Sequence, residues 1–142
     1  MLTEDLRTLL ANIVTFYFQA QGCHWNVEGE DFSQYHGLFG DIYDDVYDMI
    51  DPLAENIRKL GEYAPFNLQR YIDLRTYPFK ETTSDAGSMA SYLLESVDPV
   101  LASVTKAFVS ATAENEQGIA NFLADLDDRL KKHRWMLRSS LK

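Results

Sequence analysis

Three histidines and a long run of carboxylates are the side chains of this protein best suited to metal chemistry. His24 and His36 are twelve residues apart, and Asp51 and Glu55 are four apart. Imidazole nitrogen and carboxylate oxygen together make a donor set for a transition metal. On a helix, Asp51 and Glu55 share one face, a spacing that suits paired carboxylate ligands. His36 and Asp51 then lie 15 residues apart on that helix. At about 1.5 Å per residue the gap is roughly 22 Å, against metal–ligand bonds of about 2 Å. One molecule cannot close it. If the four side chains act together, the carboxylates come from a second copy whose helix runs antiparallel, and a two-fold dimer then builds two equivalent sites.

The elements that must position these residues are legible as apolar stripes. Leu2, Leu6, Leu9, Ile13, Phe16, Ala20 and His24 recur at three- and four-residue steps, the period of an amphipathic helix. Thr3 offers an N-cap, Glu4 and Asp5 suit the first turn, and the helix is expected to stop near Gly29. Asp31 with Gln34 has the form of a capping box. A second stripe follows, through Tyr35, Phe39, Ile42, Val46, Met49, Leu53, Ile57 and Leu60, with Gly61 as its C-terminal stop. Residues 62–83 read as a connection, with a short helix over Phe66–Tyr71. Thr83, Ser84 and Asp85 offer the next N-cap. Met89 to Ala111 carries a third stripe, Ala113 to Gln117 a polar break, and Ile119 to Leu137 a fourth. Pro52 and Pro99 interrupt the second and third stripes, but the apolar phase continues through both, so kinked helices are expected rather than helix ends. No alternating strand pattern of useful length occurs. The prediction is an all-α four-helix bundle, one domain over residues 1–142, with a long crossover between its second and third helices.

Composition narrows the classes further. With 142 residues, of which 46% are hydrophobic, the chain can bury a core without disulfides or structural metal. A single cysteine, Cys23, rules out an internal disulfide and points to a reducing compartment. No apolar run reaches the roughly 18 residues of a membrane span. The net charge of −9 disfavours a general polyanion binder. Its distribution is uneven: nine acids lie between Glu28 and Glu55, where there is no Lys or Arg, while Arg129, Lys131, Lys132, Arg134, Arg138 and Lys142 crowd the C-terminal end.

The segment Cys23-His24-Trp25-Asn26-Val27-Glu28-Gly29, with His36 twelve residues after His24, resembles the Dps-type miniferritins of the ferritin-like superfamily. So do Asp51 with Ala54-Glu55-Asn56-Ile57-Arg58, and Lys132-His133-Arg134-Trp135-Met136-Leu137-Arg138 in the last helix. The likeness covers nearly the whole chain. It implies a four-helix bundle, a hollow shell of twelve copies built from two-fold dimers, and oxidation of Fe(II) by peroxide or oxygen at an inter-subunit site, with storage of a ferric mineral. On that pattern His24 and His36 come from one subunit and Asp51 and Glu55 from its mate. The implied setting is the cytoplasm, and the implied role is protection against oxidative damage.

The chain departs from the family pattern at one ligand. Four residues after the second histidine the pattern has aspartate; here Gly40 stands. Asp41 is turned by roughly 100° and Asp44 lies about 6 Å further along, so neither is an obvious replacement. The first metal position (His24, Asp51, Glu55) is expected to survive and the second (His36, shared Glu55) to be weakened. Asp41, Asp44, Asp48, Asp51 and Glu55 form one acidic face, which reads as a solvated face or as an inner shell wall that attracts Fe(II). His133 sits on an apolar stripe and reads as structural, with no carboxylate belonging to it by spacing. Trp25 reads as packing or as an electron donor near the metal, and Tyr43 and Tyr47 as core or interface. At the family's three-fold channel positions the chain has Gln117 and Asn121 rather than acids. DNA, the family's other partner, is not favoured: the first helix starts almost at Met1, so no Lys-rich arm precedes it. The alternatives are a protective or DNA-associated shell with a vestigial metal site, and a four-helix binding module that forms no shell.

Overall fold

The computed structural model describes residues 1–81 and 84–142. Four long helices and one short helix follow in the order α1 (Leu2–Asn26), α2 (Phe32–Lys59), α3 (Leu68–Leu74), α4 (Ala86–Ala113) and α5 (Gln117–Ser140). Helices α1 and α2 form one hairpin and α4 and α5 the other; α1 packs against α4, α3 lies on α1, and α2 touches α5. This is the predicted all-α bundle, with its short helix in the crossover. Pro52 and Pro99 lie inside α2 and α4, and both helices run through them unbroken. Among the described residues, no helix is long and apolar enough to cross a membrane.

The apolar stripes meet in one core. Phe16, Phe39, Ile42, Met49, Leu53, Ile57 and Leu93 are fully buried there. Each such aliphatic or aromatic side chain contributes about 1.5–3 kcal/mol by leaving water. The polar residues on the inward side of α1 have a separate task. Asn12 donates to Thr76 Oγ1 and Ser103 Oγ and accepts from the Thr76 amide, while Gln19 accepts from Tyr77 Oη and donates to Tyr92 Oη. These bonds pin the crossover to the bundle, and among the described residues no buried side-chain nitrogen or oxygen is left without a partner.

The helix ends correct several local expectations. Helix α1 starts at Leu2 and is capped by Met1 rather than Thr3. The reason lies on another helix: Glu114, the C-cap of α4, accepts the Leu2 amide at 3.0 Å, so a carboxylate supplies the cap. Asp31 does occupy the N-cap of α2, but its side chain makes no capping bond, so the box with Gln34 does not form. The backbone turns instead through Gly29 at φ +125°, a conformation closed to side chains with a Cβ. Helix α3 begins two residues later than predicted because Asn67 accepts the Arg70 amide at 2.7 Å and fixes the start. Asp85 caps α4 through the Ser88 amide; Thr83 lies outside the described residues. Gly61 ends α2 as expected, at φ +85°, with Gly61 N–H donating to Arg58 O and Glu62 N–H to Ile57 O. Asn115 repeats the same stop after α4.

One contact fixes the end of the bundle that carries the histidines. The Glu28 amide donates to Ser84 O at 2.9 Å, which ties the α1–α2 turn to the approach to α4.

Candidate metal centre

His24 lies in the last turn of α1 and His36 in the first turns of α2. The five-residue turn between these helices brings the two imidazoles face to face, with ring centroids 3.7 Å apart and planes within 16°. Each ring is held by the backbone of the other residue. His24 Nδ1–H donates to His36 O at 2.6 Å, and His36 Nδ1–H donates to His24 O at 2.7 Å. A carbonyl oxygen can only accept, so each neutral ring carries its proton on Nδ1. Both Nε2 lone pairs are therefore left for an outside electrophile. A backbone carbonyl on one ring nitrogen is the outer-shell partner that orients metal-binding histidines and raises their basicity.

Gly40 is part of this arrangement. A Cβ built at residue 40 would lie 3.0 Å from both Cε1 and Nδ1 of His24. The His24 ring thus rests against α2 in space that any other residue would partly fill. The missing side chain at residue 40 and the position of the His24 ring are one structural fact. Two more rings flank the pair: Phe32 stacks on His36 at 4.9 Å, and Tyr43 lies against His24 at 5.1 Å. Gly40 and Tyr43 follow His36 at four and seven residues, so one face of α2 presents all three.

Asp51 and Glu55 are exposed on the far part of the same helix. Because α2 is continuous from Phe32 to Lys59, the roughly 22 Å offset from His36 stands. Among the described residues of a single chain, no three His, Cys, Asp or Glu side chains gather as a metal site. The structure therefore brings His24 to His36, and leaves Asp51 and Glu55 together but apart from them. Asp41, Asp44 and Asp48 are exposed as well, with Asp51 and Glu55 completing the acidic face. Cys23, next in sequence to His24, points into the core, and burial pushes its thiol up to about 12, so it offers no thiolate at neutral pH. Trp25 is 65% exposed.

His133 has a carboxylate after all, contrary to the spacing-based reading. Its Nε2–H donates to Asp45 Oδ2 at 2.6 Å, and Arg129 binds Asp45 Oδ1 through Nη2 at 2.6 Å and through Nε at 3.1 Å. Burial outweighs the attraction of Asp45 and holds His133 below the ordinary imidazole range. For Asp45 burial works upward, but the hydrogen bonds and charges of Arg129 and His133 prevail and hold its carboxyl below the usual range. The pair was missed because 88 residues separate its members and they sit on different helices. Other basic residues of α5 are engaged too: Lys131 pairs with Asp127 at 2.9 Å and Arg134 with Asp98 at 3.4 Å.

The ferritin-like domain model matches residues 3–142. The DNA protection during starvation protein of Helicobacter pylori is 28% identical over 97% of this chain and 96% of its own length. Among solved structures, the Dps protein of Vibrio cholerae O1, a member of a broad superfamily of ferritin-like diiron-carboxylate proteins, superposes with a TM-score of 0.94 at 28% identity, covering 99% of this chain and 89% of that one. Helicobacter cinaedi CAIP superposes with a TM-score of 0.91 at 27% identity, covering all of both chains. The chain belongs to the ferritin-like family, as a miniferritin of the Dps type.

Proposed function

We propose that this protein binds Fe(II) at a centre shared by two-fold-related subunits, oxidises it with peroxide or oxygen, and stores the ferric product inside a shell of twelve copies. His24 and His36 serve one side of each centre, and Asp51 and Glu55 of the mate serve the other. The observation that carries this reading is the pair of reciprocal Nδ1–H···O=C bonds, which hold two imidazoles with their Nε2 lone pairs unspent. Imidazoles suit Fe(II), and carboxylates hold the harder Fe(III) product. The acidic face of α2 supplies further oxygen donors where ferric ion can hydrolyse and collect. Gly40 supplies no carboxylate, so the second iron position is the weaker one. A cytoplasmic setting fits the buried free thiol of Cys23.

Subunit mixing tests the shared centre. A His24→Ala/His36→Ala subunit keeps its carboxylates, and an Asp51→Ala/Glu55→Ala subunit keeps its histidines. Each assembled alone is expected to lose tight Fe(II) binding in an anaerobic titration. Co-assembled, they are expected to recover one intact centre of the two in every mixed dimer. No recovery in mixed dimers, or unchanged binding by either variant alone, would refute the shared centre.

A further inference from the structure

The seam between α1 and α4 holds another place where the fold leaves a polar atom unspent. Asp5, in the first turn of α1, is 7% exposed. Its Oδ2 accepts the Ser110 hydroxyl at 2.5 Å, and the Met1 ammonium stands 3.7 Å from the same oxygen. Among the described residues, Oδ1 accepts no hydrogen bond. It faces Lys106 Nζ at 3.8 Å, beyond hydrogen-bond reach, on a side chain that is 78% exposed. An ionised carboxylate can accept on both oxygens, and a buried one normally does.

A cavity of about 230 Å³ opens beside this carboxylate. Asp5, Thr8, Thr76 and Lys106 form its polar side, and Pro99 and Ala102 its apolar side. The Thr76 wall is fixed, because Asn12 holds both its amide and its hydroxyl. The volume falls below the roughly 300 Å³ at which sites for drug-sized ligands begin, so the occupant is small. A bare carboxylate oxygen selects a cation. A divalent metal ion takes six or more oxygen donors, and one carboxylate beside proline and alanine is a poor set. An alkylammonium fits both sides: it has three N–H donors and no acceptor, and its chain leaves water against the apolar wall. We infer that this cavity binds a small primary alkylammonium ion, with Asp5 Oδ1 as its charged acceptor. The Thr8 and Thr76 hydroxyl oxygens accept its other N–H groups, and Lys106 turns out into water. The bound ion joins α1, α4 and the crossover. The site stands apart from the iron reading, since His24 lies in the last turn of α1.

Calorimetric titration of the assembled protein with n-butylammonium tests this, with n-butanol and butyrate as neutral and anionic probes. Butylammonium is expected to bind once per subunit, and the other two are expected not to bind. Asp5→Asn, which keeps the shape, is expected to lower the affinity roughly 10–100-fold, the scale of a hydrogen bond to a charged group. Lys106→Ala removes a competing ammonium and is expected to raise the affinity a few-fold, the scale of an exposed ion pair. Ala102→Leu fills the cavity while leaving Asp5 and its Ser110 bond in place, and is expected to abolish binding. Urea denaturation confirms that each variant is folded, and Ala102→Leu carries the test if Asp5→Asn is not. A parent that takes up no butylammonium, or takes up butanol as tightly, overturns the site. So does butylammonium binding that is unchanged in folded Asp5→Asn or in Ala102→Leu.

Discussion

Two histidine clusters sit on helix α2, and they spend their hydrogen-bonding capacity differently. At the α1–α2 turn, His24 and His36 give their Nδ1 protons to backbone carbonyls and keep both Nε2 lone pairs in reserve. In the α2–α5 contact, His133 gives its Nε2 proton to Asp45, which Arg129 also grips. Among the described residues, no carboxylate of the same chain joins the first cluster as a metal site; the second is completed by one. A histidine whose partners all come from its own fold holds the fold together. One that is oriented but left with a free lone pair is prepared for something that arrives later.

The sharpest way to break this contrast is to delete one member of each cluster and read both stability and iron binding. His24→Ala should weaken Fe(II) binding by more than the roughly 10–100-fold that losing an outer-shell partner costs. Its denaturation midpoint should shift little, since half-buried His24 adds little to the core. Asp45→Ala should do the reverse. Arg129 and His133 would lose their shared anion, at a cost of about 2 kcal/mol after discounting for partial exposure. Chemical denaturation at fixed protein concentration measures that, and anaerobic titration should find Fe(II) binding unchanged.

Acidification probes the second cluster alone. His133 titrates below the ordinary imidazole value of about 6.5, so between these values the unfolded chain binds the proton that the folded chain refuses. Stability is therefore full above that range and falls as pH drops through it. Asp45, held low, adds a further loss below the ordinary carboxylate range. His133→Gln should flatten the fall between pH 7 and pH 5, as read by denaturation at each pH. An unchanged slope would remove His133 as its source.

The smallest expected effect sharpens the first cluster. Gly40→Ala puts a methyl 3.0 Å from the His24 ring, which must shift by a few tenths of an ångström. Fe(II) affinity should fall about tenfold, the scale of a disturbed outer shell. Stability should stay within about 1 kcal/mol, because alanine favours a helix interior where glycine does not.

The bundle was readable from the sequence because helical periodicity reports burial directly. Leu53 and Ile57 keep phase across Pro52, and that phase, not the proline, decided that α2 continues. The caps were harder, since a terminus takes whatever partner the tertiary structure offers. Thr3 looked like the cap of α1, but Glu114 arrives from α4 to serve the Leu2 amide. In the candidate centre, the pairing of His24 with His36 across a short turn was accessible, and so was the separation of Asp51 and Glu55 from them. The role of Gly40 as the surface under His24 was not, because spacing records an absent side chain as a loss and not as room. The Asp45–His133 bond was hidden for a different reason: periodicity orders residues along one helix and says nothing of which helices meet. Tyr43 did leave a signal, seven residues after His36 on the same face, but aromatic residues at that spacing look like core.

Helix α2 also gives up something at Pro52. Proline has no amide hydrogen, so the carbonyl of Asp48 lacks the donor that four-residue pairing would supply. That oxygen sits on the turn that carries Asp48, Asp51 and Glu55. A carbonyl oxygen relieved of that bond keeps lone-pair capacity for a cation among these carboxylates. An approaching cation meets a patch more negative than its formal charge, in which the main chain itself takes part.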